Sequence, residues 1–228
     1  MLRPAGVAIC AALLVGVAGC ADLRAINSAR EERREFPLAS VDAELTIDVH
    51  GGDLRIVAGT GSGDVVRVHR SLTGKATLPG NADWAMSDGT LRLGITCSGF
   101  VPDCGGRHIV ELPAGTPVRV ISEAGAVRAV GVTGKLTVEV TRARSADVTA
   151  ASEERDVRLN FAAAPRRVEA RSVSGTVEIG LPPGPETYRI KTVAGTGTAS
   201  STVRSDPASD RTVLAATEYG RVRVRTAG

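Results

Sequence analysis

The sequence predicts an all-β fold: a β-solenoid (parallel β-helix-like) of roughly 20-residue coils with two strands each, with a β-sandwich as the alternative. Three observations predict it. Hydrophobic residues make up 43% of the 228 residues but aromatics only 3%, while Gly numbers 26, so the core must come from Val, Leu, Ile and Ala on closely spaced backbones. Apolar and polar residues alternate with period two in short runs, the mark of half-buried strands. Those runs also recur at near-constant spacing. The formal net charge of +3 gives no ground for a nucleic-acid partner.

The first element, residues 1–19, is a signal. One cation, Arg3, precedes an uncharged stretch from Ala5 to Gly19 that holds Val7, Ile9, Leu13, Leu14, Val15 and Val17. It is short for a membrane-spanning helix, which needs about 20 apolar residues, and right for a signal-peptide core. Val17-Ala18-Gly19-Cys20 resembles the lipobox of bacterial lipoproteins. The resemblance implies cleavage before Cys20, which would become the first mature residue and carry acyl chains such as palmitate. An ordinary secretory signal with an incidental Cys, or a short uncleaved anchor, are the alternatives. Each buried CH₂ of an acyl chain contributes about 0.8 kcal/mol, and two or more chains anchor stably. The expected location is therefore the cell membrane, lipid-anchored on the extracytoplasmic side.

Residues 20–40 read as a lipidated tether. Arg24, Arg30, Glu31, Glu32, Arg33, Arg34 and Glu35 form a nearly balanced charge block with few apolar residues, ahead of Phe36-Pro37. Such a block is usually a solvated linker or a frayed helix.

Residues 41–228 form the β-strand-repeat domain. From Val127 the chain can be written in register: 127, 148, 168 and 188 are Val, Val, Val and Tyr, and 129, 150, 170 and 190 are Ala, Ala, Ala and Ile. The spacings are 21, 20 and 20 residues. A turn column follows at Gly134, Arg155, Gly175 and Gly195, then 138, 159, 179 and 199 are Val, Leu, Ile and Ala. Gly suits such turns because it adopts positive φ freely, so Arg155 must either tolerate that conformation or take another turn. The pattern returns at Leu45, Ile47, Val49, Gly52, Leu54 and Ile56, and at Val213, Ala215, Thr217, Gly220, Val222 and Val224. Residues 205–210 are an insertion expected to protrude as a loop. Arg158, Glu178, Arg189, Lys191 and Arg223 fall on the outward face.

Cysteine usage agrees with export. Once Cys10 leaves with the signal and Cys20 is acylated, Cys97 and Cys104 remain as a pair around a Gly- and Pro-containing loop, expected as a structural disulfide. A metal site would need three or four ligands and only His108 is near, so no metal and no cofactor is expected.

Leu112-Pro113-Ala114-Gly115-Thr116-Pro117-Val118-Arg119-Val120, Glu123-Ala124-Gly125-Ala126-Val127 and Ser172-Val173-Ser174-Gly175-Thr176-Val177-Glu178-Ile179 resemble the β-strand-repeat family of bacterial envelope proteins labelled "putative adhesin", a domain of unknown function. The likeness runs from about residue 41 to the C-terminus. It implies a stacked β-repeat fold on the cell envelope, and the Cys pair before the Leu-Pro-Ala-Gly segment fits its actinobacterial members. It brings no catalytic residues.

Motifs that carry chemistry are missing. His50, His69 and His108 are scattered, Gly59-Thr60-Gly61-Ser62-Gly63-Asp64 lacks the Lys and following helix of a phosphate loop, and Ser172-Val173-Ser174-Gly175 is not a nucleophile elbow. Glu139 and Glu178 project outward but in different columns, which argues against a paired acid and base. Phe161 and Tyr188 read as core, leaving Trp84, Phe100 and Tyr219 as exposed aromatics. Charge is uneven: residues 20–117 hold 10 basic and 13 acidic side chains, residues 118–228 hold 17 and 12. Arg128, Arg158, Arg166, Arg167, Arg171, Arg189, Arg221 and Arg223 are thus candidates for a basic surface toward anionic wall polymers or headgroups, against the plainer reading of solubility and cross-strand pairing. The functional expectation is a lipid-anchored cell-envelope interaction module, adhesin-like and not an enzyme, with an envelope polymer or envelope protein as partner and no small-molecule substrate evident. An envelope-stress or signalling accessory lipoprotein is the alternative, and a polysaccharide-acting β-helix enzyme is the third reading.

Overall fold

A computed structural model describes residues 28–59, 63–98, 103–123, 126–141, 147–152 and 155–227. Sixteen strands and one short 3-10 turn, Lys75–Thr77, make up the elements, so the all-β expectation holds. Two parallel rows carry the repeat. In the first row β3 (Asp53–Ala58), β9 (Val127–Val132), β11 (Asp147–Ser152) and β13 (Arg167–Ser174) lie side by side and lead to the first half of β16 (Thr212–Thr226). In the second, β6 (Thr90–Ile95), β2 (Leu45–His50), β8 (Val118–Ser122), β10 (Leu136–Val140), β12 (Val157–Phe161) and β14 (Val177–Leu181) lead to the second half of the same β16.

Inward positions stack into columns because strand side chains alternate between faces. Val120, Val138, Leu159, Ile179 and Val224 align in one row, and Ile56, Ala129, Ala150, Ala170 and Ala215 in the other; all are buried. The small Ala column and the larger Leu and Ile column belong to one continuous core. That is how a chain with 3% aromatics fills its interior.

The solenoid of two-strand coils is corrected. The strands form a single mixed sheet, a path of 15 strands with β15 (Arg189–Ser201) paired at the side of β16, and it rolls until it is nearly closed into a barrel. Three findings overturn the coil picture. β16 does not turn at Gly220 but runs unbroken through it and pairs with both β13 and β14, which joins the two rows into one sheet. β15 (Arg189–Ser201) is likewise one strand, where a turn at Gly195 was expected. Three pairings in the N-terminal half are antiparallel: β1 (Ala29–Pro37) pairs β4 (Val65–Gly74), β4 pairs β7 (Cys104–Leu112), and β5 (Ala82–Ser87) pairs β6. The same single sheet replaces the β-sandwich alternative.

The rolled ends meet at Trp84 of β5. Its ring lies edge-on to Phe36 of β1 at 6.3 Å, Arg70 of β4 stacks over it at 4.0 Å, and Arg34 donates to its carbonyl at 3.5 Å. The charge block expected to be a solvated tether is therefore largely strand. Glu31, Glu32 and Glu35 of β1 pair with His69, Arg70 and Arg67 of β4, and Phe36 is buried. Its three carboxylates are paired across strands while the strand remains largely exposed.

Glycine decides the corner at the far end. Gly220 has φ 149° and Gly197 φ 133°; a Cβ on Gly220 would lie 2.1 Å from the Gly175 carbonyl oxygen, and one on Gly197 1.8 Å from that of Gly220. Three adjacent backbones thus pass closer than side chains allow. Arg155 takes the other of its two options, since Asp88 alone has positive φ among the described non-Gly residues. The register of β15 is also corrected: Ile190 and Gly197, not Tyr188 and Gly195, stand opposite Val213 and Gly220.

Candidate functional site

Outward residues of the first row alternate with the core columns, and one outward row is unusually apolar. Val130 of β9, Ala151 of β11, Ala216 of β16 and Val193 of β15 lie across neighbouring strands, interrupted by Arg171 of β13. Val173, one step along β13, and the corner of β16 complete a shallow groove of about 490 Å³. Val130, Val173 and Val193 are 41%, 42% and 41% exposed, and Tyr219, on the same corner of β16, is 60% exposed. These four are the exposed large hydrophobic residues among those described. Val130, Val173 and Val193 cluster in the groove, which is what a docking surface needs, since scattered apolar residues require no explanation.

Rim electrostatics are nearly balanced. Arg171 is held by Glu169 at 2.8 Å, and Glu218 lines the groove. The surface offers aliphatic contact and a few polar anchors. It presents no nucleophile with an adjacent base.

The candidate basic residues are divided by the fold. Arg128, Arg167, Arg171 and Arg189 lie on strands of the first row and β15, whereas Arg158 and Arg223 flank Glu178 on the second. Arg166 precedes β13, and Arg221 follows the corner of β16. Arg158 sits 3.6 Å from Glu178 and 3.8 Å from Asp156, Arg167 3.7 Å from Glu169, and Arg189 donates to the Ser209 carbonyl at 3.0 Å. Glu139 on β10 and Glu178 on β14 both lie in the second row but at different registers; Arg119 pairs with the first, and Arg158 and Arg225, the latter at 2.8 Å, with the second.

Two histidines sit in contrasting surroundings. His50 lies 3.1 Å from Asp48 and 3.3 Å from Glu123; partial burial pushes its pKa down, but the hydrogen bonds and charges of the two carboxylates overcome this and the net shift is upward. His108 of β7 is fully buried, and neither ring nitrogen has a well-formed hydrogen bond. Burial first, then the charge of nearby Arg70, holds its pKa down at about 4. Among the described residues no three His, Cys, Asp or Glu side chains gather into a metal-binding group.

Cys97 and Cys104 are joined in a disulfide with Cα atoms 6.3 Å apart. Cys97 follows β6 and Cys104 opens β7, so the bond ties the end of the second row to the strand beside β3, next to a small cluster of Leu72, Ala76 and Ile95. Phe161 and Tyr188 are buried, Trp84 packs on Phe36, and the 205–210 insertion is tied down by Ser209, which donates to the Thr187 carbonyl at 2.6 Å. Cys20 and Phe100 lie outside the described residues. Sequence reasoning missed the groove. Its signal was present: outward positions 130, 151, 173, 193 and 216 are Val, Ala, Val, Val and Ala, while Arg128, Glu169, Arg171, Lys191 and Glu218 are among the outward positions around them.

No family model matches the chain, and no curated protein is a significant match. Solved structures with some similarity include a "putative cell adhesion protein" from Clostridium sporogenes (12% identity, covering 88% of this chain and all of that one, TM-score 0.32). Others are a "putative adhesin" from Bacteroides fragilis (13%, 87% and 97%, 0.30) and a "putative lipid binding protein" from Parabacteroides distasonis (11%, 89% and 98%, 0.29).

Proposed function

We propose that the protein is a non-catalytic, adhesin-like interaction module of the cell envelope, held to the extracytoplasmic side of the membrane by acyl chains on Cys20. The groove carries this reading: Val130, Val173 and Val193 are displayed together on the sheet, which favours an apolar contact with a protein partner over turnover of a substrate. The arginines favour an anionic partner less, because four of the eight, Arg158, Arg167, Arg171 and Arg189, already face a carboxylate or a main-chain carbonyl. An envelope protein is therefore preferred to an anionic polymer.

The test separates anchor from groove. Cys20→Ser should abolish acyl labelling and release the protein from membranes; full membrane retention of the variant would overturn the anchoring. A photo-crosslinking residue at position 130 should capture one discrete envelope protein in intact cells, and Val193→Glu should suppress the product. Capture unaffected by Val193→Glu would overturn the groove as the contact surface.

A further inference from the structure

One edge of β15 is open among the described residues. β15 is bonded to β16 on one side through registered pairs from Arg189 to Ser201, and along its other side no strand of the described chain pairs with it. The start of that free edge is covered, since Ser205 accepts from the Ile190 amide at 2.9 Å and Asp206 donates its amide to the Tyr188 carbonyl at 2.8 Å. From Thr192 to Ser201 it is open.

Hydrogen-bonding parity along this edge reverses at the corner. The Arg189 amide donates to the Arg211 carbonyl of the chain leading into β16, so in the first arm Thr192 and Ala194 direct their main-chain groups outward. The Thr202 amide donates to the Val224 carbonyl, so in the second arm Ala199 and Ser201 are the outward residues. A strand with even outward residues before the corner and odd ones after it matches its own reverse. Rotating a second copy by 180° about an axis through the corner, between Thr196 and Gly197, sets Thr192 opposite Ser201 and Ala194 opposite Ala199, each pair with both members facing. The same rotation superposes the bend on the bend, because it exchanges the arms.

Chemistry permits this pairing. Residues 192–201 (Thr-Val-Ala-Gly-Thr-Gly-Thr-Ala-Ser-Ser) contain no charge and no Pro, the usual devices that keep an edge unpaired. Opposed side chains are small: Ala faces Ala, Thr faces Ser, Gly faces Thr. Arg189 and Lys191 fall outside the paired segment and do not meet their own copies, as they would in a parallel, in-register arrangement. We propose that two copies of this chain associate end to end through an antiparallel β15 ladder centred on Thr196 and Gly197, an isologous two-fold contact.

Sedimentation of the purified full chain in detergent should give the mass of a dimer at micromolar concentration. Ala199→Pro removes an outward N–H without touching the bonds to β16, and should return the protein to a monomer of unchanged circular dichroism; Ala199→Lys is the second variant should the proline disturb the strand. In the register test, the double variant Ala194→Cys plus Ala199→Cys should oxidise to a covalent dimer, because hydrogen-bonded partners lie about 5.5 Å apart, whereas Ala194→Cys alone should not. A monomeric parent chain overturns the proposal. So does a dimer unaffected by both position-199 variants, a crosslink through Ala194→Cys alone, or an open edge that pairs only with a strand of another protein.

Discussion

Among the described strands β1 and β15 each pair on one side only, and their residues are opposite in kind. β1 reads Ala-Arg-Glu-Glu-Arg-Arg-Glu-Phe-Pro, six charges closed by a proline, whereas positions 192–201 of β15 carry neither. The difference extends inward. Behind β1 the sheet buries polar groups: Arg70 held by Glu32 and stacked on Trp84, with His108 beneath. Behind β15 the interior is columns of Val, Leu, Ile and Ala. One end is protected against added strands and stabilised by specific polar and aromatic contacts; the other is repetitive, apolar and open. The lesson is that a repeat supplies its own core, because each strand is covered by the next, while the strand that ends the repeat needs a separate device.

The comparison breaks first in the columns. Leu159→Asp places an unpaired carboxylate between Val138 and Ile179 and should cost several kcal/mol, about 4 or more, or prevent folding, as read by urea melts. An intact transition would mean that the repeat half tolerates buried charge as the β1 end does.

Next in size is the pH response of the β1 end. The folded-state pKa of His108 is lowered to about 4 from an ordinary 6.5, so the folded protein binds fewer protons than the unfolded chain between these values. The stability present above pH 6.5 is therefore lost as pH falls toward 4, by about 3 kcal/mol. His108→Leu should flatten that part of the pH profile without altering the columns; an unchanged profile would remove His108 as the cause. Hydrogen exchange should show β7 and β4 opening before β12 and β14.

Reduction of the Cys97–Cys104 bond should cost about 2 to 3 kcal/mol by the chain-entropy account, again at the β1 end, and lower the melting temperature of the whole sheet. A thiol count of two on unreduced protein from the envelope would contradict the bond. The smallest effect belongs to Arg158→Asp, one residue from the first substitution. It alters an exposed pair with Glu178 and Asp156 and should cost under about 1 kcal/mol. A loss equal to that of Leu159→Asp would erase the distinction between inward and outward positions.

Much of this was legible because alternation and repetition are local. The column of Val138, Leu159 and Ile179 can be written from spacing alone, and the pairing places those three side by side. β15 shows where legibility ends. Gly195 and Gly197 both offer a corner, and Tyr188 imitates a column residue since it too is buried. Packing selects Gly197, because a Cβ there would strike the Gly220 carbonyl oxygen at 1.8 Å. The groove was half legible: the uncharged outward positions are visible in the sequence, but their meeting depends on which strands are neighbours.

By itself the sequence determined the alternating strands, the all-β class, the apolar columns and the cysteine pair, all of which follow from side-chain period and local spacing. Only the tertiary structure decided the rest. Whether β16 turns at Gly220 or passes through it depends on contact with Gly175 and Gly197, and that single choice converts coils into one rolled sheet. Whether the charge block at 30–35 is solvated or paired depends on β4, about 35 residues further along the chain. In both cases the deciding energy is a contact between distant segments, which no local pattern encodes.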